Sequence, residues 1–165
     1  MTFTPNPDLD LVLERTLDLA PAKVWAAWTQ PDLLVQWFTP APWRTVACEI
    51  ELRAGGRFGT TMQSPDGDQY PSTGCYLQVE PERLLVFTSV MTDDFRPVPP
   101  SNGADDMPFT GRIELAPTPS GGTHYRAIAI HPTVELATKH REMGFHDGWG
   151  AALDQLVALM SGQPS

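Results

Sequence analysis

At 165 residues and 41% apolar content the chain can bury one sizeable core, so a single domain over 1–165, with its core at about 9–160, is expected. The net charge is -9, with Lys23 and Lys139 the only lysines and nine dispersed arginines, which excludes the basic stripe of a nucleic-acid surface. No window approaches the ~18 apolar residues of a membrane span, and the N-terminus lacks a signal's basic segment and apolar run, so a soluble, cytoplasmic protein is expected.

From Leu9 to Leu19 the residues alternate, Leu11, Leu13, Leu17 and Leu19 sharing one face with Arg15. This reads as a half-buried strand. An arginine on a leucine face either pairs with a carboxylate at the sheet edge or anchors an anionic group of a ligand. Pro21 opens a short helix over 21–30, where its missing N–H costs nothing, with Val24, Trp25 and Trp28 on one face. A second short helix over 32–38 carries Leu33, Leu34, Trp37 and Phe38. So many large aromatics in one stretch belong to a core and can also form one wall of a pocket.

Six strands follow, over 45–53, 57–63, 70–80, 83–91, 109–115 and 123–130, separated by turn-rich Ala54-Gly55-Gly56, Ser64-Pro65-Asp66-Gly67, Pro81-Glu82 and Pro117 to Gly122. Short connections make antiparallel neighbours, and the first strand completes a sheet of seven. Residues 92–108 break the rhythm with four prolines and four aspartates. A connection this long reads as a flap at a cavity mouth or as a loose surface insertion. Asp93, Asp94, Asp105 and Asp106 lack the spacing and terminal glutamate of an EF-hand, so no calcium site is expected.

The C-terminal stretch Glu142 to Met160 places Trp149, Leu153, Leu156 and Met160 on one helical line, flanked by Phe145 and Val157. That apolar face needs a broad cover, and a helix gripped by the sheet supplies one. The same line reaches back to His146 and Glu142, an i, i+4 pair that could act as acid and base or as a polar ligand contact, if it is not simply a structural pair. Gly144, Gly148 and Gly150 each cost about 1 kcal/mol relative to alanine in a helix. They imply a kink near Gly144 with close backbone packing, room for a ligand beside Trp149, or both.

Alternation sets Tyr125, Ala127, Ala129 and His131 on one face of the last strand, and Phe58, Thr60 and Met62 on one face of the hairpin after Gly56. Small residues opposite a helix leave volume to fill, the first hint of a cavity. Cys48 and Cys75 are too few and too distant for a zinc motif and are expected to be free thiols. No G-x-S-x-G, P-loop, G-x-G-x-x-G or HExxH occurs, and no metal or cofactor is expected.

The pattern R-T-x-D-x-A-P-A-K-V-W-A-A-W-T at Arg15 to Thr29, E-L-R-A-G-G-R-F at Glu51 to Phe58 and M-G-F-H-D-G-W at Met143 to Trp149 resembles the SRPBCC, or START-like, superfamily. Within it, the likeness is to the branch named after the activator of the ninety-kilodalton heat-shock protein ATPase, over roughly Leu9 to Met160. The resemblance implies an α+β helix-grip fold: a seven-stranded antiparallel sheet wrapped around a long C-terminal helix, two short helices after the first strand, and a cavity between. Members bind lipids, hormones or polyketides, and some are cyclases or aromatases.

The first expectation is therefore a cavity that binds a small apolar or aromatic molecule, with Trp149, His146, Met143, Phe145, Gly150, Leu153, Tyr125, His131, Met62 and Arg15 as its candidate residues. The second is cyclase-like or hydrolytic chemistry by Glu142 and His146. The third is a chaperone-partner role. No nucleic-acid partner and no membrane span are expected, and a homodimer is left open.

Overall fold

The computed structural model describes residues 3–99 and 107–162. Strand β1 (Asp10–Leu17) leads into helix α1 (Pro21–Thr29) and the single turn α2 (Pro31–Leu34). Strands β2 (Arg44–Ile50), β3 (Arg57–Gln63), β4 (Gln69–Glu80) and β5 (Leu84–Thr88) then form an antiparallel meander. A two-residue ladder, β6 (Met91–Thr92) with β7 (Arg96–Pro97), precedes β8 (Thr110–Pro117) and β9 (Thr123–Ile130), and helices α3 (Val134–Glu142) and α4 (Phe145–Ser161) close the fold.

The main sheet has seven strands in the order β1-β9-β8-β5-β4-β3-β2, every pair antiparallel. Short turns pair consecutive strands. Two pairings depart from this: β5 pairs with β8 across the 89–109 connection, and β1 pairs with β9 from Asp10↔Ile130 to Leu17↔Thr123 because α1 and α2 carry the chain to the opposite edge before β2 begins. The inner face holds Leu17, Leu115, Tyr125 and Ala127, all buried, and α4 lays Leu153, Leu156 and Met160 against them. This is the α+β helix grip. No helix among the described residues is long and apolar enough to cross a membrane.

Several boundaries differ from the sequence reading, among them the fourth of the six later strands, which ends at Thr88 rather than 91. The C-terminal helix is not continuous from Glu142: Gly144 sits at φ 95°, a left-handed conformation that ends α3 and starts α4 at Phe145. Strand β2 stops at Ile50 because the chain turns through Gly55 at φ 80° and Gly56, where a side chain would collide with the Glu51 carbonyl. Helix α2 ends at Leu34, and Val35 to Phe38 continue as turns that still bury Trp37. Of the expected 92–108 flap, residues 100–106, with Asp105 and Asp106, lie outside the described residues; Asp93–Phe95 form a 3₁₀ turn whose Asp94 N–H donates to the Gly55 carbonyl.

The outer face carries charge instead. The Glu114 carboxylate accepts from Arg126 Nε at 2.6 Å and Arg112 Nε at 2.7 Å. Partial burial pushes Glu114 upward, but the two guanidinium hydrogen bonds outweigh it and hold the carboxyl below its usual range.

Candidate functional site

A cavity of about 330 Å³ opens between the sheet and α4. Its inner end is aromatic. Trp28 from α1 meets the Trp37 ring edge-on at 4.9 Å, and Phe87 from β5 meets Phe58 from β3 edge-on at 5.0 Å. Both of these indole N–H groups are used inside the protein: Trp37 Nε1 donates to the Ala27 carbonyl at 3.0 Å and Trp28 Nε1 to the Tyr125 hydroxyl at 3.2 Å. Tyr125 is buried, which pushes its hydroxyl well above the ordinary tyrosine range and keeps it protonated. The missing Cβ of Gly111 on β8 is what lets the Phe87 ring approach that strand so closely, since a methyl there would strike its ring atoms.

The opposite end is wetter. Thr60 and Met62 from β3 and Ser72 from β4 line it and are partly or fully open to solvent. Thr88 and Ser89 also line the cavity, but their hydroxyls hold Phe109 in place: the Phe109 N–H donates to Ser89 Oγ at 3.1 Å, and Thr110 Oγ1 donates to Thr88 Oγ1 at 3.0 Å. The helix wall consists of Gly148, Trp149, Ala152 and Leu153 from α4 with His140 from α3. Among the described residues, no aspartate, glutamate, lysine or arginine lines this space.

His140 is the one titratable ring in that wall besides Tyr125. It is buried at 8% exposure, packed by Phe109 and Phe145 with ring centroids 5.3 Å away, and its Nδ1 lies 2.8 Å from Nε2 of the buried His131. His131 Nδ1 donates in turn to the Leu9 carbonyl at 2.8 Å. Burial, with the neighbouring His131 adding to it, pulls His140 down to about 4, so it is neutral near pH 7.

The pattern of the Activator of Hsp90 ATPase homolog 1-like protein family matches residues 18–161. This chain belongs to that family. Among solved structures, a protein from Nitrosomonas europaea is 42% identical, with a TM-score of 0.88, 95% of this chain covered and 97% of that one. A Rhodobacter sphaeroides protein, 20% identical with a TM-score of 0.81 over 98% and 97% of the two chains, shares the fold. So does an AHSA1 protein from Silicibacter pomeroyi, 23% identical with a TM-score of 0.67 over 92% and 97%. No protein of curated function matches the sequence.

In this member of the Hsp90-activator-like family, Trp149, Leu153, Tyr125 and Met62 come together on the cavity. The other residues singled out from sequence lie elsewhere. Phe145 packs beneath Trp149 at 4.7 Å in a small cluster with Leu11 and Ala129, and His131 stands behind His140. Arg15 Nη1 donates to Asp154 at 2.6 Å and Nη2 to the Gly150 carbonyl at 3.2 Å, clamping α4 to β1. Gly150 faces that arginine: a Cβ there would lie 2.9 Å from Arg15 Nη2, whereas a Cβ on Gly148 would meet nothing within 4 Å. The room beside Trp149 is therefore that of Gly148.

Glu142, Met143 and His146 are exposed. The i, i+4 geometry expected of Glu142 and His146 does not exist, because Gly144 breaks the helix between them; His146 Nε2 donates to the Val12 carbonyl at 3.2 Å instead. His140 was not among the candidate residues of the sequence reading, whose C-terminal stretch began at Glu142. Thr133 held the missed signal: its hydroxyl accepts from the Leu136 N–H and starts a separate helix that puts Ala137 and His140, i and i+3, on the inner face.

Proposed function

We propose that this chain binds a small apolar or aromatic molecule in the cavity between the sheet and α4. The observation that carries the reading is the volume of about 330 Å³ walled by aromatic rings with no charged side chain among the described lining residues. Close-packed interiors hold few voids larger than a water molecule, and pockets for small ligands start near this size. At about 24 cal/mol per Å³, a dry, enclosed void of this volume costs on the order of 8 kcal/mol, comparable to the whole stability of a domain, with the open mouth reducing that figure. Tight rotamer locks on the walls, such as the Trp28–Tyr125 and Trp37–Ala27 hydrogen bonds, support a preformed site rather than a collapsed one.

The test is titration with N-phenyl-1-naphthylamine, a neutral apolar probe. Binding should enhance probe fluorescence, show a negative heat-capacity change and quench tryptophan emission less in Trp149→Phe than in the parent. A parent protein that leaves the probe dark at every concentration overturns the assignment.

A further inference from the structure

The cavity contains one polar group whose orientation follows from hydrogen-bond accounting. A carbonyl oxygen only accepts, so the 2.8 Å contact between His131 Nδ1 and the Leu9 carbonyl puts a proton on that nitrogen. Taking one proton per ring, His131 Nε2 is then a bare acceptor, and its 2.8 Å contact with His140 Nδ1 puts the second proton on His140 Nδ1. His140 Nε2 is left with a lone pair. The two nitrogens of an imidazole point to nearly opposite sides of the ring. Since Nδ1 is turned back toward His131, which stands outside the cavity wall, Nε2 is turned toward the space that His140 lines.

The His140 ring is packed by aromatic rings, Phe109, Phe145 and Trp149, with centroids 5.3, 5.3 and 6.3 Å away, and Phe109 and Trp149 also line the cavity. An acceptor walled by rings gains from a donor that meets it. An anion supplies only further acceptors, and no lysine or arginine of the described lining would neutralise it. Resting on the ligand-cavity reading above, we propose that His140 Nε2 is the recognition point of the site. It accepts a hydrogen bond from an uncharged hydroxyl or N–H on an aromatic ligand, and His131 is the positioning residue that fixes its tautomer. The cavity thus selects neutral donor-bearing aromatics over their carboxylate counterparts.

The experiment compares 2-naphthol with 2-methylnaphthalene, a hydroxyl-for-methyl exchange at nearly constant shape, by calorimetric titration of the full chain and of His140→Phe. The affinity ratio of naphthol to methylnaphthalene should fall about tenfold in the variant, as expected for one lost hydrogen bond. An unchanged ratio overturns the role of His140, and continued binding of methylnaphthalene then leaves the cavity assignment standing. If the parent binds neither probe, both readings fall together. In the parent, 2-naphthoate should bind at least about tenfold more weakly than 2-naphthol, and equal binding also overturns the proposal.

Should His140→Phe not fold, imidazole ¹⁵N spectra of the parent decide. His140 should carry its proton on Nδ1, and its Nε2 resonance should move when 2-naphthol is added and stay when 2-methylnaphthalene is added. A proton on Nε2, or a resonance indifferent to naphthol, refutes the assignment.

Discussion

Acidification should destabilise this protein through His140 at higher pH than through Glu114. In the folded state the ring titrates near 4, against 6.5 for the unperturbed group, because burial among Phe109, Phe145 and Trp149 and the adjacent His131 disfavour its charge. A depressed histidine binds protons more readily in the unfolded chain, so stability falls as pH falls from 6.5 toward 4. Integrating the linkage relation gives a loss of about 2 kcal/mol between pH 7 and pH 5, and about 3 kcal/mol by pH 4, from this one group. Glu114 acts in a separate window: its carboxyl is held below its ordinary 4.5, so its contribution is lost only as pH drops below that. The assay is the urea midpoint at pH 7, 6, 5 and 4 for the parent and for His140→Gln, whose amide can still donate to His131 Nε2. The parent should lose about 2 kcal/mol more than the variant between pH 7 and 5. Parallel curves would mean that His140 is charged or solvated in the fold, which would refute the accounting that makes it a neutral acceptor.

Gly148→Leu should add about 1 kcal/mol of stability by removing a helical glycine and filling open space, while abolishing binding of N-phenyl-1-naphthylamine; a destabilised variant, or one that binds the probe normally, contradicts the placement of the void. Gly144→Ala should cost about 1–2 kcal/mol in thermal or urea unfolding, because an alanine at φ 95° is strained even though its methyl would meet no neighbour within 4 Å. Asp154→Asn should lower stability by less than about 1 kcal/mol and leave probe affinity unchanged, since the Arg15–Asp154 pair is largely exposed; a marked loss of affinity would restore Arg15 as a ligand anchor. Cys48 and Cys75 face Thr60 and Arg57 on the intervening β3 and so lie about 14 Å apart, two strand spacings across and three residues along. Both should react with a thiol reagent after unfolding without reductant, and an intramolecular disulfide on a non-reducing gel would contradict the register.

Period-2 alternation and short turn-rich separators were enough to specify seven antiparallel strands, because local pattern and turn chemistry act on neighbours in the chain. They also put Tyr125 with Ala127, and Phe58 with Met62, on shared faces, since one register decides every side chain of a strand at once, but which face turns inward was left to the structure. The apolar line through Trp149, Leu153 and Leu156 fixed the gripping face of α4 in the same way. Long-range partners have no such local signature. That Arg15 reaches Asp154 across 139 residues, that Gly150 is spent on that arginine while Gly148 faces the void, and that His131 turns His140 toward the cavity all depend on how α3 and α4 dock on the sheet. The helix break decided most of this. A glycine is compatible with helix, kink or cap, and only the packed position of α3, with His140 buried against Phe109 and Phe145, selects the left-handed turn at Gly144 that separates Glu142 from His146 and brings His140 to the site.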